Sequence, residues 1–160
     1  MLGGRPIGGD RLVRIQKILW AVFLGSIFFY LAAALLVIAL RSPADSPASS
    51  LPTLRLALVA LAVAEWIGSF WLRRLLLVRA FAEEPIRWGA VLGAFVFGWG
   101  FQESIALIGL VLVLLGGTLL EALLLCAGSF LGILLMPPAP GWLRARLSAE
   151  ASNSGESAPP

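Results

Sequence analysis

The sequence has no histidine, a single cysteine and few charged residues. Of its 160 residues, 13% are charged and 59% are hydrophobic. Without histidine the chain has no imidazole base and no imidazole metal ligand. Cys126 has no cysteine within the chain with which to form a disulfide, and its apolar neighbours are typical of a small packing residue. We therefore expect no enzyme activity, no metal site and no cofactor.

Basic residues are missing from a long part of the chain. No Lys or Arg occurs from Trp88 to Pro140. So much apolar surface cannot be buried in one small soluble core, which predicts a polytopic membrane protein. The net charge of +3 would suggest nucleic-acid binding in a soluble protein. Here most arginines flank apolar segments, as membrane topology requires, so we expect membrane lipids and no nucleic acid as partners.

The apolar segments predict an all-α integral membrane fold with four transmembrane helices. These helices are predicted over residues 18–40, 53–79, 86–115 and 118–136. The first apolar run has 23 residues, which is too long for a signal peptide core of about 7 to 15 and long enough to cross about 30 Å of hydrocarbon. Residues 1–17 form a basic N-terminal segment. Residues 137–160, rich in Ser, Ala, Pro and Glu, are predicted to form a disordered tail.

The basic residues are unequally divided between the two sides of the four predicted spans. Ten lie on one side, and only Arg41 and Arg55 lie on the other. Because cytoplasmic loops carry the excess of Lys and Arg, both termini and the central loop are predicted to be cytoplasmic. The predicted location is the inner (plasma) membrane, with several passes.

A helix-capping pattern precedes the fourth apolar segment. Glu121 follows Thr118 by three residues, which is the spacing of a capping box. In this motif each side chain accepts a hydrogen bond from a backbone N–H group at the start of a helix. We therefore assign Thr118 and Glu121 a structural, helix-capping role.

Glu103 and Glu65 lie far from any predicted helix end, within apolar sequence. Glu65 comes 14 residues before Arg79 and Glu103 comes 16 residues after Arg87, so their depths differ by only about 3 Å. A charge at the centre of a membrane helix costs about 2.5 to 3.5 kcal/mol, and such residues are usually functional. Both are candidate proton-binding groups that could meet between helices. The alternative is that each is a neutral acid that joins helices through hydrogen bonds.

The sequence around Glu103 resembles a known family. The pattern F-x-E-x-x-A-L-x-G-L-V over residues 101–111 is similar to the proton-carrying helix of subunit c, the proteolipid of rotary ATP synthases. The similarity covers residues 85–115, and Pro85 corresponds to the proline in the polar loop of that family. The resemblance implies that Glu103 is the proton-binding carboxylate.

The whole chain also resembles small bacterial four-helix membrane proteins. Its second apolar segment has bulky aromatic residues, Trp66, Phe70 and Trp71, where subunit c has a dense glycine repeat. We therefore expect an accessory, scaffold or assembly subunit without catalytic machinery that keeps a buried protonatable carboxylate. The alternative is a proton-translocating subunit. Either function predicts a homo-oligomer or a membrane-protein partner.

Overall fold

The computed structural model describes residues 9–41, 52–82, 87–143 and 145, and this part of the protein is helical without strands. Its four helices are α1 (Gly9–Leu40), α2 (Pro52–Ala82), α3 (Trp88–Leu114) and α4 (Leu119–Leu134). The apolar parts of α1, α2 and α3 are long enough to cross a membrane. The apolar helix α4 is shorter, with 16 residues. The structure thus has three candidate membrane spans and a shorter fourth helix.

The first helix extends beyond the predicted apolar segment. Residues 9–17 were predicted to belong to the basic N-terminal segment, but they continue α1. Leu12 and Gln16 are buried on this extension, whereas Arg11, Arg14 and Lys17 are exposed. The extension is amphipathic, so its buried face stabilises a helix that hydropathy alone does not predict.

The segment after α4 differs from the predicted disordered tail. Residues 137–143 pack against the bundle, and Leu143 is fully buried. The backbone N–H of Ala139 donates to Gln16 Oε1 at 3.1 Å. Composition predicted disorder, but the burial of Leu143 in the main apolar core stabilises this short segment. The rest of the predicted tail, residues 146–160, lies outside the described residues.

Helix α3 lies at the centre of the bundle. It packs against α1, α2 and α4, whereas α1 and α2 have little contact with each other. In the most apolar stretch of α3, 50% of the residues are buried inside the bundle, compared with 11% in the corresponding stretches of α1 and α2. The large side chains Phe95, Trp99 and Leu112 form the core along α3. The other helices are therefore arranged around α3.

Three tryptophans attach α4 to the other helices. Trp20 of α1 donates to the carbonyl oxygen of Ile133 at 3.2 Å. Trp66 of α2 donates to the carbonyl of Gly128 at 3.2 Å. Trp99 of α3 donates to the carbonyl of Met136 at 2.9 Å. Ile133 lies in the last turn of α4 and Met136 lies two residues beyond its end, so two of the three indoles hold the C-terminal end of this helix and the segment that follows it.

The turn between α3 and α4 requires glycine. Gly116 has a φ of 87°, a conformation that side chains disfavour. The N–H of Gly117 donates to the carbonyl of Leu112 at 2.7 Å. A Cβ atom at Gly117 would lie 2.5 Å from that carbonyl oxygen. The tight turn directs the chain from α3 into α4.

Candidate functional site

A polar layer crosses the bundle near the middle of α3. Its three central residues are consecutive: Gln102, Glu103 and Ser104. Successive side chains of a helix point about 100° apart, so these three face different neighbours. The other members are Tyr30 of α1, Glu65 and Ser69 of α2, and Ser129 of α4. Together these seven residues connect α3 with all three other helices.

Glu103 faces α1. Its Oε1 accepts a hydrogen bond from the hydroxyl of Tyr30 at 3.0 Å. Glu103 is half-buried, and no described basic side chain forms an ion pair with it. The carboxyl group of Glu103 therefore links α1 to α3 through the tyrosine hydroxyl.

Glu65 reaches the neighbour of Glu103 on α3. The hydroxyl of Ser104 lies 2.5 Å from Glu65 Oε2 and donates to it. The same hydroxyl lies 2.7 Å from the carbonyl of Phe101 one helical turn earlier. The two carboxylates were predicted to lie at similar depths, and the bond between Ser104 and Glu65 agrees with that estimate. The structure gives Glu65 and Glu103 separate partners, one at the α2–α3 contact and one at the α1–α3 contact.

Gln102 and Ser129 are fully buried members of the polar layer. The Nε2 of Gln102 donates to the hydroxyl of Ser69 on α2 at 2.5 Å. The backbone carbonyl oxygen of Gln102 accepts a hydrogen bond from the hydroxyl of Ser129 on α4 at 2.5 Å. Gly132 of α4 packs directly against the Gln102 amide, and a Cβ atom there would overlap it. Gln102 thus joins α2, α3 and α4 within the core.

Glu121 lies at the start of α4, away from the polar layer. Thr118 is the N-cap, and both hydrogen bonds of the capping box are present. The carboxylate of Glu121 also forms an ion pair with Arg55 at 3.1 Å. These contacts satisfy backbone N–H groups at the helix start, where a negative charge also interacts favourably with the helix dipole.

A groove lies on the face of α3 between α1 and α2. Its volume is about 460 Å³, and Glu65 and Ser104 lie on its wall. Gly93 and Gly100 form part of its floor, and there is open space where a Cβ atom would be at either glycine. Most of the remaining lining is aromatic or aliphatic. The groove exists because α1 and α2 contact α3 but scarcely contact each other.

Sequence reasoning identified both glutamates but missed their partners. Tyr30 and Ser104, which donate to Glu103 and Glu65, had no assigned role, although Ser104 lies next to Glu103. An uncharged polar residue in a long apolar helix is a usable signal, because hydrogen-bonding groups in membranes are usually paired between helices. Which helix supplies the partner depends on the packing of the bundle.

The fold and the polar layer define a class: a helical bundle with three candidate membrane spans and two carboxyl groups held by hydroxyl donors. Among the described residues, no group of three or more acidic or cysteine side chains could hold a metal ion. Comparison with protein-family models, with curated proteins and with solved structures gave no match.

Proposed function

We propose that this protein is a non-catalytic integral membrane subunit that acts as a scaffold, accessory or assembly factor. In this proposal α1 to α4 cross the inner (plasma) membrane, with both termini in the cytoplasm. The observation that carries the proposal is the polar layer, in which Glu65 and Glu103 each accept a hydrogen bond from a hydroxyl on another helix. Such bonds hold helices together in lipid.

The positions of the arginines on α2 support the proposed membrane depth. Arg55 and Arg73 are 18 residues apart, which corresponds to about 27 Å along a helix. This distance is close to the hydrocarbon thickness of about 30 Å. Glu65 lies near the midpoint between them. The polar layer would therefore lie near the centre of the bilayer, where satisfied hydrogen bonds matter most for an ionisable side chain.

The groove between α1 and α2 supports a partner-binding role. Helix association in lipid depends on close approach of backbones at small residues. Gly93 and Gly100 leave that space open on α3. A transmembrane helix of a partner subunit, or of a second copy, would cover the groove and bring its own side chains next to Glu65.

The alternative proposal is a proton-translocating subunit resembling subunit c. The partial exposure of Glu103 favours it, because a proton carrier must remain accessible. The central position of α3 favours the scaffold instead. A rotor carboxylate must face a partner subunit, whereas α3 is covered by three helices of its own chain.

The native mass of the full chain in a mild detergent distinguishes these proposals. A scaffold or accessory subunit is expected as a 17.0 kDa monomer, a dimer, or a small complex with a different membrane protein. A ring of many identical copies would contradict the scaffold proposal and favour the proton carrier.

Substitution of Glu103 gives a second test. Glu103→Gln keeps an oxygen that accepts from Tyr30, so the scaffold proposal expects unchanged native mass and nearly unchanged thermal stability. The same variant cannot release a proton from this position. Proton flux across proteoliposomes that is present in the wild type and lost in Glu103→Gln would overturn the scaffold proposal.

A further inference from the structure

A second groove lies along the C-terminal half of α2 and contains two arginines. Its volume is about 670 Å³. Its lining residues are Phe70, Arg73, Arg74, Leu77, Val78, Phe81, Ala82 and Trp142. All except Trp142 lie on one face of α2, where Phe70 is followed by adjacent pairs that recur every four residues. The groove runs about 18 Å along that helix, and Trp142 of the segment after α4 closes one side.

The two arginines in this groove lack acidic partners among the described side chains. Arg73 is half-buried, and its guanidinium carbon lies 4.3 Å from the centre of the Phe95 ring. The Nε–H of Arg73 is buried without a hydrogen-bond acceptor in the described structure. Arg74 is exposed. An anion in the groove would therefore meet two arginines whose charge no described carboxylate neutralises.

The two arginines at the opposite end of the bundle, Arg41 and Arg55, do have partners for their guanidinium groups. Arg55 forms an ion pair with Glu121, and Arg41 donates to the carbonyls of Val113 and Gly117. Their charges interact with the end of α3 and the start of α4. Arg73 and Arg74 differ from these two because they form no ion pair with a described carboxylate and both line the groove.

We propose that this groove binds the phosphate of an anionic phospholipid in the cytoplasmic leaflet. This inference rests on the proposed membrane orientation. Arginine forks hydrogen-bond phosphate oxygens in pairs, and basic pockets at the cytoplasmic side of membrane helices bind anionic lipid headgroups. The rest of the groove is aliphatic and aromatic, which suits a glycerol backbone and the start of acyl chains. Trp142 has the indole side chain that is typical of the membrane interface.

The test measures lipid binding to the full-length protein in a neutral detergent. Phosphatidylglycerol, phosphatidylcholine and inorganic phosphate are titrated separately while thermal unfolding is followed, and native mass spectrometry counts retained lipids. Phosphatidylglycerol is expected to raise the Tm and to remain bound. Phosphatidylcholine and inorganic phosphate are expected to do neither at the same concentration, because one is zwitterionic and the other cannot use the apolar lining.

Three matched variants assign the binding to the groove. Arg73→Gln and Arg74→Gln are each expected to weaken phosphatidylglycerol binding roughly tenfold, equal to about 1.4 kcal/mol. Arg79→Gln removes the same charge from an exposed position on α2 outside the groove lining and is expected to bind like the wild type. Arg73→Gln also removes the contact with Phe95 and could impair folding. Arg74→Gln tests the groove without that contact, because Arg74 is exposed.

Three outcomes would overturn the lipid site. Equal effects of phosphatidylglycerol and phosphatidylcholine would show that the net negative charge of the lipid does not contribute to binding. An equal loss in Arg79→Gln would mean a diffuse electrostatic attraction without a defined groove. Equal stabilisation by inorganic phosphate would make this an anion site that does not select lipid. The native mass and Glu103→Gln experiments are separate, so this proposal can fail while the scaffold proposal stands.

Discussion

Gln102 contacts both α2 and α4 from the centre of the polar layer. Its amide donates to Ser69, its backbone carbonyl accepts from Ser129, and its side chain fills the space above Gly132. The Oε1 of Gln102 is buried without a hydrogen-bond partner among the described residues, so the donor bond to Ser69 and the packing against Gly132 hold this side chain in place. The absence of a side chain at Gly132 is what allows the Gln102 amide to reach α2.

Substitution of Gly132 tests this arrangement. Gly132→Ala places a methyl group where the Gln102 amide lies, so the amide must move away from Ser69. We expect the free energy of unfolding to fall by about 1–3 kcal/mol, as in overpacked cores. Thermal unfolding of the detergent-solubilised protein, followed by circular dichroism, measures the change.

Gly128 on the same helix is the matched control. No heavy atom lies within 4 Å of the position of a Cβ atom there. Gly128→Ala is therefore expected to be neutral or to stabilise α4 by up to about 1 kcal/mol through helix propensity. Equal destabilisation by the two substitutions would contradict the proposed role of Gly132.

At the scale of the helices, α4 is attached by side chains of its neighbours that donate to its backbone. Trp20 of α1 and Trp66 of α2 donate to α4 carbonyls, and Trp99 of α3 donates to the carbonyl of Met136, two residues beyond the end of α4. Two of these carbonyls lie at or just beyond the C-terminal end of the helix. The indole N–H groups give these carbonyls hydrogen-bond donors from neighbouring helices, and the Ile133 carbonyl also accepts from the N–H of Met136 at 3.1 Å. Hydropathy does not distinguish Trp66 and Trp99, whose indole N–H groups donate to backbone carbonyls, from apolar packing residues.

Removal of one indole donor should destabilise the attachment of α4. Trp99→Phe leaves the Met136 carbonyl without its buried donor, which we expect to lower the free energy of unfolding by about 1–3 kcal/mol. Trp71→Phe makes the same replacement at a side chain that is 75% exposed, and we expect a change within about 0.5 kcal/mol. If the two variants unfold alike, the hydrogen bond of Trp99 contributes nothing to stability.

Helix existence was predictable from sequence, whereas helix partners were not. Long apolar runs with few charges predict α1, α2 and α3 because a membrane helix needs about 20 apolar residues. The extension of α1 over residues 9–17 and the packing of Leu143 were missed, because both depend on burial against other helices. The depth of Glu65 and Glu103 followed from residue counts along two antiparallel helices. Their partners Ser104 and Tyr30 depend on the rotation of each helix, which hydropathy does not encode.

At the scale of the whole molecule, the two basic residues on the predicted outer side have specific partners. Arg41 donates to the carbonyls of Val113 and Gly117. Arg55 donates to the carbonyl of Gly116 and pairs with Glu121. Cations at the C-terminal end of a helix are stabilised by its dipole. These contacts explain why two arginines occur on a side that otherwise lacks basic residues.

Cysteine labelling tests the proposed orientation. In a Cys126→Ala background, Ser46→Cys lies in the predicted outer loop and Ser148→Cys lies in the predicted cytoplasmic tail. A membrane-impermeant thiol reagent is expected to label Ser46→Cys in intact cells and Ser148→Cys only after permeabilisation, because positive residues favour the inside. The reverse pattern would show the opposite orientation, and labelling of both in intact cells would exclude four spans.

The length of α4 has a consequence for the bilayer around the protein. Its 16 residues extend about 24 Å, whereas the 32 residues of α1 extend about 48 Å. Under the proposed topology the lipid beside α4 must thin, because the apolar height of that side falls short of the usual hydrocarbon thickness. Such hydrophobic mismatch costs a fraction of a kcal/mol per Å and sorts proteins among membranes. The molecule would therefore favour thin membrane regions, or neighbours whose own spans are equally short.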